Sequence, residues 1–177
     1  MVKVTNTREQ DILCSPGRIG LKAKVTLGAD AGGTLKAAHL IYHLDIGAYA
    51  DISTKIAQAI AVDCTGPYKI DHVYCDSLAI YTNHPYTTAY RGFGHASYTF
   101  CIERTIDKLA NMMGIDALEF RMKNLISYGD YTPTQVKLNC NNISNLPNCY
   151  DKLKSLIDWS LNNEVIGSKT KAWGISS

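Results

Sequence analysis

The stretch TTAYRGFGHAS, residues 87–97, limits the fold more tightly than any other part of the chain. It joins a segment of alternating apolar and polar residues to one with an apolar residue every three or four positions, so a strand gives way to a helix there. Gly92 and Gly94 weaken both elements, because glycine loses more conformational freedom on folding than any other residue. Such a position needs a backbone that a side chain would obstruct, or one that comes very close to a neighbour. Arg91 and Phe93 are the side chains that the bend presents.

Around this junction the patterning predicts an α+β fold. Residues 19–27 read as a half-buried strand and 35–50 as a second, joined by the Gly/Asp-rich turn GADAGGT into a hairpin with a longer loop. Residues 54–64 read as a short helix or a packed loop, and 69–83 as a third strand. Tyr98, Cys101, Ile102, Ile106, Leu109 and Met113 form one helical stripe, which Gly114 ends. Asp116 with Glu119 resembles a capping box for a second helix carrying Leu118, Phe120, Met122 and Leu125. Residues 127–147 read as a long loop. Asn148 is placed to cap a third helix with Leu153, Leu156, Ile157 and Leu161, and KAWGISS as the start of a further strand. The expected layout is strand-rich over 1–90, helical over 95–165, with that strand at 171–177. No steady βαβ rhythm is visible, so the sheet is expected to be largely antiparallel or mixed, with helices packed on one side. VKVTNTRE at the start reads as a strand already under way.

Composition narrows the function classes. With 177 residues, 46% apolar and 19% charged, the chain can bury a core. A net charge of +2 without any Lys/Arg block gives no basis for binding nucleic acid. No apolar run reaches the roughly 20 residues of a membrane span, and the polar start lacks a signal core. The six cysteines have neither CxxC nor zinc spacing, and read as reduced thiols of a cytoplasmic protein. His39 and His43 share a strand face and read as ordinary strand histidines before a metal pair. Asp45 and Asp51 show no cleft for acid–base work. Tyr86 and Tyr90 are expected to pack near the bend.

Several readings of YRGFG compete. GxGxxS lacks the third glycine of a dinucleotide fingerprint and the lysine of a phosphate loop, although a helix N-terminus follows that suits an anion. Ser97 lacks the GxSxG setting of a nucleophile elbow. A cofactor lip would use Arg91 as a fixed fork, the bare backbone at Gly92 and Gly94 for a flat ligand, and the Phe93 ring against a planar substrate. The plain alternative is a tight turn with Arg91 paired locally and Phe93 in the core. Residue types alone favour this last reading.

A resemblance changes that balance. AYRGFG, followed by a helix and GIDALEFRMKNLI, is similar to the molybdenum-binding large subunit of the xanthine dehydrogenase and aldehyde oxidase family, the molybdenum hydroxylases. TREQDIL, GADAGGTLKAAHL, DIGAYAD, TGPYKIDHV, YTNHPYTTAYRGFG and the closing KAWGISS resemble the same family in the same order. Each is weak alone, but their order across the whole chain is specific. The resemblance implies the first molybdopterin-binding region of a several-fold longer subunit, so the chain is expected to be a fragment of one.

The resemblance also implies roles. Arg91, Gly92 and Gly94 would lie at the molybdenum cofactor, as molybdopterin or its cytosine dinucleotide, and Phe93 would stack on the substrate. Gly92–Phe93 stands where the CO dehydrogenase branch has a cysteine, which favours the hydroxylases. They oxidise an aldehyde or N-heteroaromatic carbon with oxygen from water. His95 and Ser97 depart from the family's FGxPQ. The arginine that orients purines in one branch would fall at Ala59, beside Gln58, and no arginine lies between 52 and 69, which disfavours a purine. The family's catalytic glutamate is expected beyond Ser177 and its other glycine-rich segment before Met1. The chain is therefore expected to hold no catalytic residue and no metal ligand, and to be inactive and without cofactor alone. The expected partners are the remaining large-subunit domains, iron–sulfur and FAD domains or subunits, and a small-molecule substrate; nucleic acid and membrane are not expected. A non-catalytic remnant that folds and oligomerises through exposed surfaces is the alternative, and an unrelated nucleotide-binding protein with an all-parallel sheet is the third reading.

Overall fold

The computed structural model describes residues 1–159 and 163–177. The chain divides into two compact units. The first comprises Met1–Thr26, Ala38–Cys64 and Val73–Ile102; the second comprises Leu27–Ala37, Thr65–His72 and Glu103–Ser177. The elements in order are α1 (Arg8–Cys14), β1 (Gly20–Ala29), β2 (Leu35–Gly47), α2 (Ser53–Val62), β3 (His72–Tyr81), α3 (His95–Met113), α4 (Ala117–Asn124), α5 (Leu146–Leu156), β4 (Asn163–Ile166) and β5 (Lys169–Ala172). Long elements are thus where the patterning placed them.

The first unit is built on a three-stranded sheet in the order β1-β2-β3. β1 and β2 form the expected hairpin, with the Asp30 N–H donating to the Thr34 carbonyl at 2.9 Å. β3 runs the same way as β2: the Tyr74 ring meets His39 edge-on at 5.1 Å, and the Thr82 N–H donates to Gly47 at 3.0 Å. The sheet is therefore mixed, with α2 as the crossover that two parallel neighbours require. A strand on either side of a short helix was legible, but their parallel pairing was not, because the linking segments carry no regular spacing. The mixed sheet excludes an all-parallel nucleotide-binding fold.

The core of this unit follows the two-residue period of β2. Ala38, Leu40, Tyr42, Leu44 and Ile46 are buried on one face, while β1 has no buried residue. Ile56, Ala57 and Ile60 of α2 and Tyr98 and Ile102 of α3 complete it. The first residues differ from expectation. VKVTNTRE is not a strand: the Thr7 side chain accepts the Gln10 N–H and the Gln10 side chain accepts the Thr7 N–H, a capping box that opens α1. The T-x-x-Q spacing was present in the sequence.

The second unit is organised by buried polar groups. Arg121 is fully buried, and its guanidinium donates to the Glu103 carboxylate at 2.7 and 2.9 Å and lies 2.8 Å from Asp107. The Tyr68 hydroxyl donates to the other Glu103 oxygen at 2.7 Å. Asn124, also buried, accepts the Leu35 N–H and donates to the Gly33 and Phe120 carbonyls. α4 opens as expected, with the Asp116 carboxylate accepting the Leu118 and Glu119 N–H groups at 3.0 Å. Residues 127–147 are more ordered than a long loop implies. Gly129 and Leu138, and Thr132 and Val136, are paired through the backbone, and Leu138 is buried.

α5 is capped by Asn145, not Asn148: the Asn145 side chain accepts the Asn148 N–H at 3.1 Å. Pro147 then occupies the first turn, where its missing N–H costs nothing. Leu161 of the expected stripe lies outside the described residues. The strand expected at 171–177 is not there: β5 is Lys169–Ala172, antiparallel to β4 with Val165 opposite Thr170, and residues 173–177 lie outside any strand.

Removing Glu103 would leave the Arg121 charge buried with only Asp107 as a carboxylate partner. Glu103→Ala is expected to lower the unfolding free energy by about 3–5 kcal/mol, measured by urea denaturation. A loss below about 1 kcal/mol would show that the pair behaves as a surface ion pair.

Candidate functional site

The bend begins with its approach. Residues 82–90 leave β3 and are held along their length by the first unit. The Asp45 carboxylate accepts from the Thr82 hydroxyl, the His84 ring and the Gly47 N–H. The Thr87 N–H donates to Ile46, and the buried Ser53 hydroxyl lies 3.1 Å from the Thr87 carbonyl. Thr88 donates through its N–H to Gly17 and through its hydroxyl to Asp51. Asp45 and Asp51 are thus anchors for this segment, not an acid–base pair.

At the bend three successive residues have left-handed backbone: Gly92 at φ 101°, Phe93 at 40° and Gly94 at 90°. Glycine tolerates this and phenylalanine does not, so Phe93 holds strain of order 1–3 kcal/mol. The Phe93 N–H donates to Tyr90 at 2.8 Å and the His95 N–H to Gly92 at 2.7 Å, which closes the turn and starts α3. Gly94 is buried, and a Cβ there would sit 2.8 Å from both Ile56 and Ile60 of α2. At Gly92 an added Cβ would meet nothing nearer than 3.5 Å. The two glycines have different tasks: Gly94 lets the backbone press on α2, and Gly92 leaves an exposed main chain at the tip.

Arg91 is exposed, and among the described residues its guanidinium makes no hydrogen bond or ion pair. Phe93 is half-buried. Neither is in the core, which removes the plain reading of a locally paired arginine and a plugging ring. No acidic residue stands in the first turn of α3, and its His95, Ser97 and Tyr98 N–H groups already donate to Gly92 and Gly94.

Two further groups hold the bend. Arg18 donates to the Arg91 carbonyl at 2.7 Å and lies over the Tyr90 ring at 4.5 Å. It brings a second guanidinium to the tip. The His95 ring spans the Gly92 carbonyl through Nδ1 at 3.0 Å and the Asp63 carboxylate through Nε2 at 2.8 Å, tying the turn to the end of α2. The unusual His95 therefore has a structural use. Sequence reasoning missed Arg18 and Asp63. Arg18 follows a Ser-Pro-Gly turn signal, but nothing in its surroundings names a partner 73 residues away.

Other candidates do not join this site. His39 packs on Tyr74, and no group of three metal-binding side chains exists among the described residues. Tyr86 packs edge-on against Tyr49 at 6.4 Å. Ser97 sits in the first turn of α3, where its N–H donates to Gly94. Gln58 is exposed and Ala59 half-buried on α2. Among the described residues, no helix is long and apolar enough to cross a membrane.

Comparison with known proteins points in one direction. Residues 1–125 match the family model described as the molybdopterin cofactor-binding domain. The chain is 31% identical over 137 residues to a probable xanthine dehydrogenase subunit of Bacillus subtilis, covering 77% of this chain and 18% of that protein. It is 32% identical over 128 residues to the nicotinate dehydrogenase large molybdopterin subunit of Eubacterium barkeri, covering 72% of this chain and 30% of that protein. The aldehyde oxidoreductase of Desulfovibrio gigas superposes with a TM-score of 0.81 at 27% identity, over 86% of this chain and 16% of that one. The chain thus spans less than a third of the length of these proteins.

Substituting the two glycines separates their tasks. Gly92→Ala is expected to cost about 1–3 kcal/mol of strain. Gly94→Ala should cost that plus a further roughly 1–3 kcal/mol of overpacking against Ile56 and Ile60, with both read from denaturation midpoints. Equal losses would mean that the approach to α2 is unimportant. Asp45 gives a pH test. The Thr82 hydroxyl, then the His84 ring and Gly47 N–H, hold its carboxyl below the ordinary value against the opposing effect of burial. Its contribution is present above the ordinary carboxylate range and lost as pH falls through the lowered value. The stability difference between wild type and Asp45→Asn should therefore shrink as pH drops below about 4, in thermal melts across pH.

Proposed function

This chain belongs to the molybdopterin cofactor-binding domain family of xanthine dehydrogenase- and aldehyde oxidase-like enzymes, and from that premise we propose that it forms one wall of a molybdenum-cofactor site in an oxidoreductase acting on an aldehyde or N-heteroaromatic. The observation that carries this reading is the bend itself: an exposed Arg91, unpaired among the described residues, beside bare backbone in a turn fastened by Arg18, His95 and Asp63. The residues fit a flat, oxygen-rich ligand. Arg91 offers a planar fork of donors to a phosphate or pterin oxygen. Gly92, open at 3.5 Å to its nearest neighbours, lets such a ligand approach the main chain.

When bound, the molybdenum cofactor supplies the two-electron oxidation and the transfer of oxygen from water. The chain's own residues bind and orient. Phe93, fixed by its strained backbone, offers a ring against which a planar substrate lies. Arg18, over Tyr90 and bonded to the Arg91 carbonyl, keeps the Arg91 backbone from shifting. The absence of arginine along α2, where Gln58 and Ala59 stand, supports a substrate other than a purine. Iron–sulfur and flavin groups are assigned to other domains or subunits, since no group of three or more metal-binding side chains occurs among the described residues. β3, an edge of its sheet, exposes Tyr74, Leu78 and Ile80 on one face, which supports packing against a further domain.

Purification of a whole enzyme containing this chain from a host that makes molybdopterin, followed by elemental analysis, tests the cofactor assignment. Arg91→Ala should lower molybdenum retained per chain by about tenfold or more, the loss of one charge-assisted contact. In the active enzyme Phe93→Ala should raise KM for a benzaldehyde-type substrate by roughly two- to tenfold, with little change for a small aliphatic aldehyde. Unchanged molybdenum content in a folded Arg91→Ala protein would overturn the proposal, as would equal effects on both aldehydes for Phe93.

A further inference from the structure

Both tryptophans of the chain line one cavity of about 360 Å³, built wholly within the second unit. Asp107 and Ala110 come from α3, Ile115 and Asp116 from the turn into α4, and Trp159 and Trp173 from the segments that follow α5 and β5. The Trp159 Nε1–H donates to Asp116 Oδ2 at 2.9 Å, which fixes one indole against one carboxylate. Asp116 Oδ1 accepts the Leu118 and Glu119 N–H groups at 3.0 Å, so the carboxylate is itself held in place. Asp107 is 39% exposed and lies 2.8 Å from the Arg121 guanidinium.

Charge and surface together select the ligand. Among the described residues no basic side chain lines the cavity. Arg121 is shared between Asp107 and Glu103, so that cluster keeps one net negative charge, and Asp116 adds another. Such a cavity favours a cation, yet no group of three metal-binding side chains occurs among the described residues. A strongly hydrated ion would also gain nothing from indoles, and would lose water to reach them. A cation whose charge is spread over methyl groups or a ring loses little hydration there and gains the indole faces. The chain carries its own precedent: Lys171, outside the cavity lining, holds its ammonium 4.8 Å from the centre of the Trp173 ring. The volume lies at the small end of the range for small-molecule sites.

We propose that this cavity binds a small organic cation of the quaternary-ammonium class, with Trp159 and Trp173 against its methyl groups and Asp107 and Asp116 facing its charge. No covalent step is involved. The bound cation would fasten the segment after β5 to the turn between α3 and α4. The site shares no residue with the bend and stands or falls independently of the cofactor reading.

The test is a titration of the whole chain with choline and with dimethylbutanol, its uncharged carbon isostere, at constant ionic strength. The chain has no other tryptophan, so indole emission reports the occupancy of this cavity. Choline should give a saturable change, and dimethylbutanol should bind roughly tenfold more weakly, because it lacks the charge. Asp116→Asn keeps a residue that caps α4 but removes the charge, and should weaken choline by about three- to tenfold while leaving dimethylbutanol unchanged. Trp173→Leu should weaken choline by about tenfold, read from the remaining indole. If either variant fails to fold, the comparison of the two ligands on the unaltered chain decides the matter. The proposal is overturned if choline gives no saturable change, if the two ligands bind equally, or if a folded Asp116→Asn protein binds choline as before.

Discussion

The bend rests on a backbone pressed against a helix with no Cβ between them. Ile56 and Ile60 stand where a side chain at position 94 would go, so only glycine brings the two surfaces together. With residue 94 placed, the chain reaches α3 by left-handed turns at 92, 93 and 94, and Arg91 and Phe93 come out at the tip. The strain this imposes on Phe93 is held by interactions around it. Asp45, Ser53 and Asp51 fasten the approach, Arg18 the tip and His95 with Asp63 the exit. These contacts hold the backbone of the turn in place from both sides of residue 93.

Two arginines show how one residue type serves opposite ends. Arg121 is fully buried with two carboxylates around it and organises the second unit. Arg91 is exposed without a partner among the described residues. A buried guanidinium demands charges close by, whereas an exposed one is satisfied by water. Nothing local in FRMKN or YRGFG separates the two cases, because Glu103 and Asp107 reach Arg121 from another helix.

Elements were legible where the apolar period was long. β2 buries every second residue from Ala38 to Ile46, and the stripe on α3 follows its predicted positions through Ile106. The stops were legible too, since Gly114 and the Asp116 cap act locally. Misreadings came where two local signals competed. VKVTNTRE alternates like a strand, but Thr7 and Gln10 close a capping box first. Asn145 and Asn148 are both capping residues, and Pro147 settled the matter by fitting only inside the first turn. The direction of β3 was hidden, because strand pairing depends on where α2 packs and not on the strand's own pattern.

By itself the sequence determined that a strand must bend into a helix through a glycine-rich turn carrying an arginine and a phenylalanine, and its ordered motifs determined the family. Those facts depend on residue type and spacing along the chain. The tertiary structure alone decided that Gly94 faces α2 while Gly92 faces outward, and that Arg18 and Asp63 hold the bend. Each of these joins residues distant in sequence, and such contacts exist only once the core has brought separate segments together.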